Sequence, residues 1–394
     1  MSRLFIPAVH LPHGREVFKP LPYRASQFRR VLKAYAERAL LQCSTEDAIV
    51  LAATPETDYL RFLMDNGMGT ERIILCPGAS GNLAADVLGT DIAGQFKGGG
   101  VPNFYIHLEE EWEIAETLGA RQMVMHPALA RMFNTAYFLL RLEEDMAIPA
   151  PPRAQVRSSR FAEPVRELLK EHGKLFVRGN ESCGGSQTFT VEHDEDIPAI
   201  VRIIGRNRII TRYFVSPFLA IDESWNVQYA IGPEGKPAPF GASRQIMEGT
   251  SHKGNEAGAE VPSAVERLAD TTVRRLASMG ARGMIGIDFI SAGNVTYIAE
   301  INARENTSTP VIAAAHRIGA RYWRSFKVPV ARGFTFAAFA ALCGKENLLN
   351  AAEGRGLLPF HFAASSLTGG LDVAAYGESQ EEVAALESRV RSAE

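Results

Sequence analysis

A mixed α/β and α+β architecture is predicted by two features of this 394-residue chain. In its first third, apolar strand-like runs alternate with amphipathic helical stretches, the pattern of a parallel sheet. From about residue 174 onward, β-rich runs succeed one another across glycine-containing turns, the pattern of antiparallel pairing. The first part reads as a helix over 26–42, a strand at 48–53, a helix at 59–66 and a strand at 72–76. The loops at 53–55 and 77–81 read first as plain strand-to-helix turns, with a part in substrate binding as the alternative. Lys97, Gly98, Gly99 and Gly100 lack the spacing of a phosphate loop and read as a flexible turn. Residues 128–143 make a helix that Pro149, Pro151 and Pro152 cannot continue. A strand over 174–180, a glycine loop and a strand ending near Val191 follow, then a helix at 196–205 and a strand at 208–215. A long amphipathic helix over 262–279 stops at Gly280 and leads into β-runs at 286–290 and 295–302. A helix to about 318, a strand at 371–375 and an acidic helix from 379 complete the order.

The β-runs at 286–290 and 295–302 place Asp288, Glu300, Asn302 and Arg304 on one hairpin. Glu300 and Asn302 are two apart and project from one face of a strand. A three-residue loop at 292–294 sets Asp288 opposite Ile298 on that same face, whereas a two-residue loop turns Asp288 away. Two carboxylates and an amide oxygen suit Mg²⁺, which takes few protein ligands and completes its octahedron with phosphate oxygens and water. Arg304 then stands ready for a phosphate or a substrate anion. On spacing alone, a solvated hairpin edge fits as well.

Composition narrows the class. With 46% hydrophobic and 22% charged residues, the chain is rich enough in apolar residues for two or three domains with full cores. A formal net charge of −3 without a long like-charge run gives no general attraction to nucleic acid or anionic membrane. The apolar start is short for a signal peptide and no run reaches membrane-span length, so a cytoplasmic enzyme is expected. Cys43, Cys76, Cys183 and Cys343 show no C-x-x-C pairing, which indicates neither a zinc site nor a disulfide framework.

With Asp288 and Phe289 followed by Glu300, Ile301, Asn302 and Arg304, the chain resembles the ATP-grasp superfamily, over most of residues 1–344. The resemblance implies an ATP-grasp fold with a small amino-terminal α/β domain at 1–127, a nucleotide-binding core at 128–344 with a lid lobe at about 155–215, and a short carboxy-terminal appendage at 345–394. It implies ATP and Mg²⁺ as cofactors, with Asp288, Glu300 and Asn302 as metal ligands and Arg304 beside the transferring phosphate. Arg178, at the end of a strand before the glycines Gly184 and Gly185, suits a lid that covers phosphates with one cation and main-chain amides. The family more often has lysine there, and the same holds at Arg131, the matching candidate one helix upstream. The resemblance further implies that main-chain groups of Tyr213 and Val215 meet adenine, that Glu223 approaches the ribose, and that Arg244 offers charge to the transferring phosphoryl group. Lys253 reads as solvated, and His361, between Phe360 and Phe362, as a packed residue.

The function this implies is an ADP-forming carboxylate–amine ligase. A small-molecule carboxylate, an amino acid or short peptide, becomes an acyl phosphate, and an amine then displaces phosphate. The carboxy-terminal segment from Gly356 resembles that of pheganomycin-type peptide ligases. Homodimers are common in the family and are implied here. Intramolecular lactam formation, release of a phosphorylated product, or a nucleotide-binding module without turnover are alternatives, the last motivated by arginine at positions 131 and 178.

Overall fold

The computed structural model describes residues 2–9, 25–181, 187–207, 209–249 and 251–392. Three sheets organise it. The first contains β1 (Arg3–Ile6), β2 (Ala48–Leu51), β3 (Ile73–Leu75) and β4 (Val101–Phe104) in the order β3-β2-β1-β4, all parallel. Its two central strands, Leu4 to Ile6 and Ala48 to Leu51, are buried almost completely, because crossover helices such as Thr57–Asp65 cover a parallel sheet.

The second sheet is a small antiparallel lobe of β5 (Ala154–Arg157), β6 (Leu175–Gly179), β7 (Thr188–Val191) and β8 (Arg212–Pro217), ordered β5-β8-β6-β7. The third and largest contains β9 (Glu223–Ile231), β10 (Pro237–Glu248), β11 (Ser251–Ala257), β12 (Gly283–Ala292), β13 (Val295–Asn302), β14 (Tyr322–Pro329), β15 (Gly356–Phe360) and β16 (Gly370–Gly377). Its order is β13-β12-β9-β10-β11-β14-β16-β15.

The large sheet has two unlike faces where β9, β12 and β13 meet. Trp225, Val227 and Tyr229 alternate with Ser224, Asn226 and Gln228 along β9, and strand periodicity sends the two sets to opposite sides. The apolar set joins Ile287, Phe289, Ile298 and Ile301 in one core with the helix Ser263–Ser278, which contributes Val265, Ala269, Val273 and Leu276 at helical spacing. The polar set faces the other way, and there the candidate site lies.

Several expected elements changed. The helix expected over 128–143 is two helices, Pro127–Phe133 and Ala136–Met146. Thr135 breaks it by capping the second with its hydroxyl on the Phe138 N–H, while Asn134 donates back to the Ala130 carbonyl. The helix expected over 26–42 gives way after Ala34 to a 3₁₀ turn, Tyr35–Leu41. The strand expected at 208–215 starts later, at Arg212, because the Asn207 side chain accepts from the N–H groups of Ile209 and Ile210 and makes a turn instead.

The carboxy-terminal segment is continuous with the large sheet. β16 pairs with β14 from Tyr322↔Gly377 to Pro329↔Gly370, and Leu357, Leu358 and Tyr376 share a core with Phe5, Leu40 and Tyr59 of the amino-terminal unit. The Tyr59 hydroxyl donates to the Pro359 carbonyl at 2.9 Å. The parallel sheet is also tied to the exit of β13, where Ile106 bridges Arg304 and the Glu305 N–H donates to the Tyr105 carbonyl at 2.9 Å. No helix among the described residues is long and apolar enough to cross a membrane.

Candidate active site

The β12–β13 hairpin closes with a two-residue loop, Gly293 and Asn294, one residue shorter than expected. Gly293 takes φ +58°, the first-position geometry that favours glycine in such turns. Regular pairing from this loop would turn Asp288 away from Glu300. It does not, because the register shifts between Asp288 and Phe289: Phe289 pairs with Ile298, and Asp288 with Glu300. Ala299 is the extra residue of a β-bulge. The bulge restores the parity that the short loop removes, and it puts Asp288 and Glu300 side by side with Asn302 two residues on.

The bulge has a second effect. Arg178, reaching across from β6 of the small lobe, donates through Nη1 to the Ala299 carbonyl at 2.7 Å and pairs through Nη2 with Glu300 Oε1 at 2.8 Å. A guanidinium fork spans the lobes and meets one main-chain and one carboxylate oxygen of the hairpin.

Asp288 sits in a ring of amides. Its Oδ1 accepts from Asn226 Nδ2 at 2.7 Å and Gln245 Nε2 at 3.1 Å, and its Oδ2 accepts from Asn302 Nδ2 at 2.9 Å. A further chain of bonds holds these donors in place: Gln228 Nε2 donates to Asn226 Oδ1 at 2.7 Å and to Ser308 Oγ at 2.8 Å, and the Thr309 hydroxyl donates to Gln228 Oε1 at 2.6 Å. Gly286 leaves room for this layer, since a Cβ there would lie 2.4 Å from Asn306 Oδ1. Burial, then the neighbouring charge of Glu300, raises the Asp288 carboxyl to about 6 against the pull of Asn226, Arg304 and Asn302. Two carboxylates held this close suit a hard divalent cation, which would relieve their mutual repulsion. Asn302 presents its NH₂ to Asp288 and its Oδ1 to Arg304 Nη2 at 2.6 Å. In this arrangement Asn302 orients Asp288, and a half-turn of the amide would offer its oxygen instead. Among the described residues no group of three or more His, Cys, Asp and Glu gathers.

The structure thus brings together Asp288, Glu300, Asn302, Arg304 and Arg178. It does not bring Arg244 to them. Arg244 pairs in register with Trp225, on the apolar side of the sheet, and binds Glu256, which also binds Arg324. Its neighbour Gln245 is the residue that reaches Asp288. Glu223 is likewise one residue out of phase with Ser224, and its carboxylate accepts from Trp225 Nε1 at 3.1 Å. Tyr213 and Val215 lie inside β8, paired on one flank with Val156 and Ala154 and on the other with Gly179 and Val177. Their main-chain groups are taken up within the lobe, so the expected adenine contact is not available from them. Both side chains are buried, and the Tyr213 hydroxyl donates to Gln187 Oε1 at 2.9 Å. Arg131 is engaged by Glu109 at the start of a neighbouring helix. Gly184 and Gly185 lie outside the described residues.

Asn226, Gln228 and Gln245 escaped the sequence reading, although β9 carried a signal: two amides at period two inside an otherwise apolar strand. Arg153 also escaped. It forms a two-bond pair with Glu143 at 2.7 and 3.0 Å, close enough to Arg178 to feel its charge.

Residues 137–308 match the family model described as the ATP-grasp domain. The chain is 24% identical over 210 residues to the large chain of carbamoyl phosphate synthase from Rubrobacter xylanophilus, which covers 51% of this chain and 19% of that protein. It is 26% identical over 187 residues to the same subunit from Methanoculleus marisnigri, covering 44% and 17%. The chain therefore matches less than a fifth of the length of these curated relatives. Among solved structures, it is similar to biotin carboxylase from Campylobacter jejuni in complex with β-γ-ATP, with a TM-score of 0.62 at 12% identity over 98% of this chain and 89% of that one. It is also similar to N5-carboxyaminoimidazole synthetase from Staphylococcus aureus, with a TM-score of 0.59 at 9% identity over 99% and 97%.

Proposed function

We propose that this chain, which has the ATP-grasp fold and matches the ATP-grasp domain model over residues 137–308, is an ADP-forming carboxylate–amine ligase that makes an amide or peptide bond on an amino acid or short peptide. One observation carries this reading: Asp288 and Glu300 face each other on one side of the hairpin while Arg178 reaches the same Glu300 from the small lobe. That geometry suits a triphosphate held between the lobes.

Asp288 and Glu300, with the Asn302 oxygen turned toward them, would hold Mg²⁺, which supplies charge neutralisation on the phosphates when bound. Arg178 would withdraw charge from the transferring phosphoryl group, since such transfer is mainly positioning and electrostatics. A substrate carboxylate oxygen attacks the γ-phosphorus and ADP leaves. The amine nitrogen then attacks the acyl carbon, phosphate leaves, and the nitrogen loses a proton. Arg304, fixed by Asn302 and the Glu305 carbonyl, would steady the substrate anion. The amides around Asp288 keep its carboxylate oriented throughout. The carboxy-terminal likeness to pheganomycin-type ligases favours a peptide-like substrate, and dependence on ATP favours the cytoplasm. A homodimer is part of the same proposal.

The test is ATP turnover over a panel of amino acids, short peptides and other carboxylates, with and without an added amine, read by mass spectrometry. ADP, phosphate and a condensed product are expected. AMP in place of ADP, or nucleotide binding with no substrate-dependent ADP release, would overturn the proposal.

A further inference from the structure

Arg38 lies in the 3₁₀ turn Tyr35–Leu41 and is 5% exposed. A buried guanidinium normally has a carboxylate partner, because an uncompensated charge is costly away from water. Arg38 makes no ion pair among the described residues. Its Nη1 faces His361 Nε2 at 3.3 Å, and His361 Nδ1 faces Asp372 Oδ2 at 2.9 Å. Burial holds the imidazole down at about 4, so the ring is neutral at pH 7. It donates to Asp372 and accepts from Arg38. Arg38 Nη2 has no hydrogen-bond partner among the described residues. The nearby Glu305 feels the charge of Arg38 but makes no ion pair with it among the described residues, and its oxygens accept from Gln42 Nε2 at 3.1 Å.

The position of this group adds the second observation. The Arg38 guanidinium carbon lies 4.8 Å from the centre of the Tyr105 ring, and that of Arg304 lies 5.9 Å from the same ring. Tyr105 sits where the amino-terminal sheet is tied to the exit of the β12–β13 hairpin. One cation oriented by a histidine and another fixed by Asn302 therefore share one aromatic wall, close enough for a small molecule with two ionic ends to meet both.

We propose that Arg38 is a substrate-recognition residue that binds a carboxylate group of the amino acid or peptide substrate, beside the reacting centre near Arg304. This rests on the ligase reading and names the group that gives its substrate specificity. A carboxylate matches the guanidinium fork in charge, planarity and spacing. Nη2 is buried, so binding there requires the surrounding segments to shift.

Calorimetric titration of the full chain loaded with Mg²⁺ and a non-hydrolysable ATP analogue tests this. The probes are amino acids, dipeptides and dicarboxylates, each beside its amide, with inorganic phosphate as a separate arm. In the unaltered chain at least one acid should bind at least about tenfold more tightly than its amide. Arg38→Gln should erase that preference while leaving nucleotide affinity unchanged. Arg38→Lys, which keeps the charge but not the fork, should retain part of it and decides the matter if Arg38→Gln does not fold. A preference that survives in both variants, the absence of any acid preference in the unaltered chain, or Arg38-dependent binding of phosphate alone would each overturn the assignment. Nucleotide analogue binding needs no turnover, so this result separates from the ligase test, which stands on ADP release by the unaltered chain.

Discussion

Two arginine–glutamate pairs engage opposite faces of the large sheet, Arg178 with Glu300 and Arg244 with Glu256. Arg178 joins the small lobe to the hairpin at Ala299, 121 residues on, and at Glu300 beside it, on the side that carries Asp288 and its ring of amides. Arg244 and Glu256 belong to adjacent strands, in register with Trp225 and Arg324 on the side that carries the apolar core. The residue types are identical, and the difference lies in what surrounds them. Glu256 is buried and shared by two arginines, which hold its carboxyl below the ordinary range against the effect of burial. It is a structural knot that Arg324 extends to Glu387 at 3.0 Å. Glu300 is half-buried and stands beside another carboxylate, where negative charge is left over for a cation. A pair whose charges cancel reads as architecture, and a site that leaves charge unresolved reads as function.

The largest expected effect that would sharpen this comparison comes from Glu300→Ala. Substrate-dependent ADP formation should fall on the order of 10³-fold or more, with a melting temperature within a few degrees of the unaltered chain, since little core volume is lost. Retained turnover in a steady-state assay would break it. Arg178→Ala should lower kcat by roughly 10²-fold, and Arg178→Lys by less, because charge survives although the fork to Ala299 and Glu300 does not. Gln245→Ala should weaken Mg²⁺-dependent activity by about 10- to 100-fold through loss of an orienting bond to Asp288, read as a raised Mg²⁺ requirement. Its neighbour gives the contrast: Arg244→Ala should leave kcat/KM nearly unchanged and cost about 1 kcal/mol in denaturant unfolding. If Arg244→Ala is the inactive variant and Gln245→Ala the active one, the assignment of faces is wrong.

The smallest effect concerns the purely structural pair Arg3–Asp47. Burial pushes the Asp47 carboxyl up, but hydrogen bonds from Arg3, Ser44 and their main-chain groups outweigh it and bring it down to about 2. A depressed carboxyl contributes stability above its unfolded value near 4 and loses it as pH falls toward 2. Asp47→Asn should therefore destabilise the chain at pH 7, with the gap to the unaltered chain closing between about pH 4 and pH 2. Parallel urea midpoints measured down that series would show it.

Much of the fold was legible because it is written in local periodicity. The run 295–302 alternates as a strand and is one, and 262–279 carries apolar residues at helical spacing and folds as Ser263–Ser278. The shifts came where a side chain competes locally for the main chain, as at Thr135 and Asn207. The clustering of Asp288, Glu300 and Asn302 was legible, since their types and spacing lie in one stretch. It was not legible in its faces: Arg244 and Glu223 carry suitable chemistry and are each one residue out of phase with the residue that faces the site.

By itself, the sequence determined which elements form, their order, and the two carboxylates that the hairpin offers, because each depends on near neighbours along the chain. Tertiary structure decided the rest. The bulge at Ala299 sets whether Asp288 meets Glu300, the order of strands brings Asn226 and Gln245 to Asp288, and the seam between the first and last segments holds Arg38 against His361. These depend on hydrogen bonds and packing between residues far apart in sequence, and a strand's alternation leaves the choice of face open until its partners are in place.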